Sequence, residues 1–407
     1  MIHINGRHPI AKIGYVEVGK QIGKNLGYID IHTCKGGDDF TWLDAEEGYP
    51  EITELLPQRT VVQFNSTYME LTGRHDRIKG DLTAWMILFL GVCSFCLYYL
   101  HLILILTFEK NDSVMGIVIG GVILLVIAII LILIKTLFTE IFTYTYFPIR
   151  FNRKTRKVYV RQANRKVEEF NWDELKFYMS TSKPAHDGAD IKAFTVTKDG
   201  VTVEKMFAFP FVSDITAKEI LGGTQLKQHF EFVRRYMESE SEEQLIEVKK
   251  AIRYIHPVHQ QRETPFISFQ RVILSGHDTY KNMEYPKTSF NPDISLLAMT
   301  PLLWARYIGR LISINTSITP HFSAKIEAEC QIDPNDPHDL NKHLPEGNLE
   351  AKPSLRYKIT FTIILFISTI AMLIFSAFYI DMLGNVKGGD YPSLLEGLLK
   401  ILTFGLY

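Results

Sequence analysis

The densest chemistry in this chain is a run of positive charge. Arg150, Arg153, Lys154, Arg156, Lys157, Arg161, Arg165 and Lys166 stand within 150–166, with no acid among them. Such a block can meet an anionic inner leaflet, where each base near the surface contributes roughly 1 kcal/mol, or an acidic protein partner. Nucleic acid is a poorer match and is not expected. The block alternates with β-forming residues on a strand turn instead of building a broad positive face, and a net charge of −1 supplies no global field.

Other motifs approach a chemistry and miss it. Gly14-Tyr-Val-Glu-Val-Gly19-Lys20-Gln21 has the spacing of a phosphate-binding loop, but Gln21 stands where a Ser or Thr hydroxyl would hold Mg²⁺. Cys93 and Cys96 form a Cys-x-x-Cys inside an apolar run, away from the accessible helix N-terminus that activates a thiolate. With Cys34 and Cys330 they are too dispersed for a disulfide framework. His256 and His259 lie on either side of Pro257, with no cysteine or carboxylate pair at ligand spacing, and read as a solvated turn. No nucleophile elbow, His-Glu-x-x-His or dinucleotide fingerprint occurs. The expected protein needs no metal or cofactor and is not an enzyme.

The elements that would position these residues begin with three apolar runs, Leu82–Phe108, Val114–Phe138 and Ile359–Ile380. The last is free of charge and, at about 1.5 Å per residue, long enough as a helix to cross a ~30 Å hydrocarbon core. Glu109-Lys110-Asn111-Asp112-Ser113 is a linker short enough to make the first two a helical hairpin. Gly116 and Gly120 offer a small-residue face on its second helix, for packing on the first or for dimerisation. Lys135 is placed to snorkel to the interface, and His101 has no second ionisable group in the runs to relay with. Lys and Arg flank the runs on one side: Arg74, Arg77 and Lys79 before the first, Arg150 to Lys157 after the second, Lys352, Arg356 and Lys358 before the third. That bias puts the N-terminus and the main domain in the cytoplasm and the C-terminus on the far side. No signal peptide is expected.

Between the runs the pattern is mixed. Ala11–Val18 and Thr60–Leu71 lean towards strands, and Gly36–Pro57 towards acidic loop. Tyr144–Phe151, Lys157–Arg161 and Lys166–Phe170 read as short strands, and Lys198-Asp199-Gly200 as the turn of a hairpin. Gln225–Met237 and Glu242–Ile255 carry apolar residues at helix spacing. Ser295–Ser313 fits a core helix or an amphipathic helix on the inner leaflet. The expected fold is a membrane α+β protein: three transmembrane helices, a hairpin plus one C-terminal helix, with a cytoplasmic α+β domain containing a small antiparallel sheet. Its parts are an N-terminal segment (1–81), the hairpin (82–138), a β module (139–215), a helical and loop region (216–357), the third span (359–380) and a far-side tail (381–407) with a possible interfacial helix.

The block Tyr146-Phe-Pro-Ile-Arg-Phe-Asn-Arg-Lys-Thr-Arg-Lys-Val-Tyr-Val160, with Trp172, Phe232-Val-Arg-Arg-Tyr-Met237 and Pro320–Cys330, resembles an uncharacterised family of bacterial membrane proteins carrying a domain of unknown function. The resemblance covers most of the chain from about residue 60 to 345. Such proteins are associated with type VI secretion neighbourhoods. The resemblance implies an inner-membrane location and a role in interbacterial competition, as an immunity protein that binds a toxin or as an accessory factor for effector delivery. It carries no catalytic residues over and leaves the oligomeric state open.

Overall fold

A computed structural model describes residues 40–57, 59–73, 76, 78–110, 112–162, 165–181, 189–196, 203–213, 223–256, 262–274, 300–344, 355–385, 393 and 396. The expected strand at Ala11–Val18, the loop at Gly14–Gln21, the Asp199-Gly200 turn and nearly all of the tail lie outside the described residues.

Two antiparallel sheets and a set of helices make a mixed α+β fold. One sheet joins β1 (Phe40–Leu43), β7 (Lys176–Thr181), β8 (Ala189–Val196) and β9 (Val203–Ser213) in that order. The other joins β2 (Val61–Phe64), β3 (Tyr68–Leu71), β4 (Ile149–Asn152), β5 (Lys157–Arg161) and β6 (Val167–Asn171). Residues 40–71 are thus built into both sheets: β1 pairs with β7, and β3 with β4 across the whole length of the hairpin insertion. The sequence segments them separately because strand partners distant in the chain leave no local mark.

Period-two alternation decides what each face of the five-stranded sheet meets. Ile149, Phe151, Val158 and Val160 point into the main core. There they join Phe177, Phe207 and Phe209 of the other sheet and two helices, α3 (Gly223–Met237) and α4 (Glu242–Ala251). Ser241 and Gln244 close a capping box at the start of α4, which fixes where it begins. The opposite face carries Tyr68 and Tyr159, and is covered by Phe322 and by Ile326 of the short helix α7 (Ala324–Glu329).

Helices α1 (Asp81–Glu109) and α2 (Ser113–Leu137) form the hairpin expected from the first two runs. Asp112 caps the second by accepting from Met115 N at 3.1 Å. Their large apolar side chains face outward, Phe108, Ile117 and Leu124 among them. Both are long and apolar enough to cross a membrane. Helix α8 (Leu355–Asn385) contains the third run. Helix α6 (Thr300–Thr316) packs against α1, α8 and α5 (Pro265–Leu274), and its Tyr307 and Leu303 join Phe269 and Val272 in a second apolar cluster.

Candidate functional site

The basic block does not form one surface. Arg150 is buried and pairs with Glu70 at 2.7 Å and Glu327 at 3.0 Å. Its guanidinium lies over the rings of Tyr68 and Phe322. Arg153 donates to the carbonyls of Ser66 and Ser239. Arg156 bridges Asp173 and Glu238, and Lys157 bridges Glu169 and Glu329. Arg161 is buried over the Tyr144 ring and donates to the carbonyl of His321. Arg165 donates to the carbonyl of Phe142 and stays exposed, as do Lys154 and Lys166. The physical reason is alternation: Arg150, Lys157 and Arg161 fall on the face that 320–330 covers, where Glu70 and Glu327 meet Arg150, Glu329 meets Lys157 and the His321 carbonyl meets Arg161. No local pattern signals this pairing, because Glu70 and Glu327 are remote in the chain from Arg150.

A second cluster, which the motifs did not single out, lies at the root of the hairpin. Arg310 of α6 is fully buried and makes a two-pronged pair with Glu263, at 2.9 and 2.6 Å. Its remaining nitrogen donates to the carbonyls of Asp76 and Lys79, just before α1. Arg271 of α5 joins Asp76 at 2.8 Å to Glu263 at 3.1 Å. Ser268 donates to Glu263, and His256 meets the same Asp76 oxygen as Arg271 at 3.1 Å. His256 is therefore buried in this network and not in a solvated turn; His259 lies outside the described residues. Burial pushes the Asp76 carboxyl up, but His256 and the guanidiniums of Arg271 and Arg310 outweigh it and hold the acid well below the usual carboxylate range. Glu263 is held at about 2 against burial by Arg310 and Arg271. Burial and the Arg271 guanidinium push His256 down although Asp76 pulls the other way. Burial lowers Lys79 to about 8, opposed by Glu140 and Asp76.

The same root ties the two ends of the hairpin together. Helix α1 starts at Gly80 with a left-handed φ of 96° and no cap of its own. Glu140, beyond the end of α2, supplies one: its carboxylate accepts from Gly80 N, Thr83 N and the Thr83 hydroxyl at 2.5–2.6 Å. Arg306 of α6 adds a pair of bonds to Asp81 at 2.8 and 2.9 Å. A Cβ at Gly309 would overlap the Gly80 carbonyl and stand 2.7 Å from Ala84 N, so α6 and α1 cross in close contact there. By contrast, a Cβ at Gly120 meets nothing within 4 Å and one at Gly116 only the Phe108 ring edge at 4.0 Å. Within the chain the tight backbone approach lies at Gly80 and Gly309, at the root of the hairpin.

Chemically, this arrangement is a lock. Two acids and two guanidiniums pair with one another and join the pre-hairpin segment, α5 and α6. Among the described residues no group of three or more His, Cys, Asp or Glu stands where it could hold a metal ion. Residues 126–334, about half of the chain, match a family of unknown function (DUF6708), and the chain belongs to that family. No curated protein and no solved structure matches it.

Proposed function

We propose that this member of the DUF6708 family is a non-enzymatic, multi-pass protein of the bacterial inner membrane that holds a protein partner through its cytoplasmic domain, as an immunity protein in type VI secretion-based competition. The observation that carries the membrane part is the hairpin of α1 and α2, whose apolar side chains face outward while its root is locked into a folded α+β domain. We read α8 as the third span, since Ile359, Phe366, Phe375 and Phe378 also face outward. The immunity role is supported by the family resemblance of 146–160, 232–237 and 320–330.

The test is a deletion strain grown against sister cells. Loss of resistance, restored by a plasmid copy of the full chain, is the expected result. Intact resistance with failed effector delivery would transfer the role to an accessory factor of secretion. Unchanged resistance and unchanged delivery would remove the protein from competition altogether.

A further inference from the structure

We propose that the membrane exit of the hairpin is a lipid-docking collar, in which the stacked rings of Phe138 and Phe142 and the bases Arg165 and Lys166 seat in the anionic headgroup layer of the inner leaflet. The inference rests on the membrane reading above and names the lipid chemistry it contacts.

Phe142 has a φ of 57°, in the left-handed region where a bulky aromatic is an outlier. The ring gains no burial from this: Phe142 is 52% exposed and Phe138 54%, and the two stack with centroids 5.7 Å apart. The backbone is pinned, since the Phe142 carbonyl accepts from Arg165 at 2.9 Å and the Thr143 carbonyl accepts from Ile318 N at 2.9 Å. An aromatic pair held outward against its backbone preference needs an environment that favours it.

Position supplies that environment. About 20 helical residues cross the hydrocarbon core, and α2 uses 25 up to Leu137. Phe138 and Phe142 therefore fall at the interface, the depth at which aromatic rings are enriched. Glu140 caps α1, so Trp85, one turn into α1 and exposed, lies close to the level of Phe138. Arg165 and Lys166 stand at the turn between β5 and β6 that the Arg165–Phe142 bond holds against this exit. Glu168 lies near Lys166, and Glu140 is turned inward to α1. The other end of β5 carries Lys154 on the β4–β5 turn, about five residues or roughly 16 Å away along the strand, and should not reach lipid. Continuity with the spans favours lipid over an acidic protein as the occupant.

Hydrogen exchange on the full chain in nanodiscs decides the matter. In discs of phosphatidylcholine with phosphatidylglycerol, exchange in 139–147 and 161–167 should be about tenfold slower than in phosphatidylcholine alone, two bases each contributing severalfold. The pair Arg165→Asn and Lys166→Gln, with Asn chosen because Arg165 has a φ of 68° and Asn tolerates positive φ, should abolish the difference, and Lys154→Gln should keep it. Phe142→Asn should also reduce it while leaving the detergent-solubilised protein at least as heat-stable as wild type. Equal exchange in the two lipids, or a difference that survives the double variant, overturns the collar while the membrane reading stands. Release of the chain from the discs by alkaline carbonate overturns both.

Discussion

At the residue scale, the chain's most costly decision is to bury charge at the hairpin root. Glu263 is paired with Arg310 and Arg271 and accepts from Ser268. Breaking a buried pair by removing one partner typically costs about 3–5 kcal/mol, because the other charge stays buried. Glu263→Gln should lower the unfolding free energy in detergent by that order, and a value within error of wild type would show the pairs to be solvated. Two buried histidines set the acid response. Burial pushes His229 down to about 4, against its bond to the Leu56 carbonyl, and His256 is lowered too. His229 stays neutral when folded but takes up a proton near 6.5 when unfolded. Its contribution is thus complete above about 6.5 and is lost as pH falls towards 4, and the lowering of His256 acts in the same direction. Stability should drop between about pH 7 and pH 5, and His229→Gln should flatten the slope; a flat wild-type profile would contradict this.

At the element scale, the crossing of α1 and α6 and the trans cap of Glu140 are what make the hairpin part of the folded domain. Gly309→Ala drives a methyl group into the Gly80 carbonyl and Ala84. It should therefore make the root more open to proteolysis and cost about 1–3 kcal/mol, as overpacking does. Gly120→Ala enters open space. It should be silent or raise helix stability by up to about 1 kcal/mol. The contrast is read by limited proteolysis and thermal unfolding in detergent, and the reverse order of effects would mean that α1 and α2 approach through Gly116 and Gly120 after all. The strands Lys157–Arg161 and Val167–Asn171 and the helix Gly223–Met237 lie close to where the sequence pattern puts them, since alternation and helix spacing are local signals. Pairing of β3 with β4 across 77 residues, from Leu71 to Ile149, is not local, and neither is the joining of Asp76 to Arg271 and His256.

At the scale of the whole molecule, orientation is the property on which access of the proposed partner depends. With the other cysteines removed, Glu243→Cys should resist a membrane-impermeant thiol reagent in intact cells and react after lysis, while Asp112→Cys at the hairpin turn should react from outside. Labelling at Glu243 from outside would invert the proposed topology and move the proposed partner with it. The chain's own sequence determined that a hairpin of apolar helices exists, that strands and helices lie between the runs, and that a basic block follows the second run. Those properties depend on the composition and period of contiguous residues. Only the tertiary structure decided that Arg150 and Arg161 face inward, that Gly309 rather than Gly120 makes the close contact, and that His256 belongs to an ionic lock. Each depends on which remote acid, carbonyl or helix the fold carries to within about 3 Å, and no spacing along the chain encodes that distance.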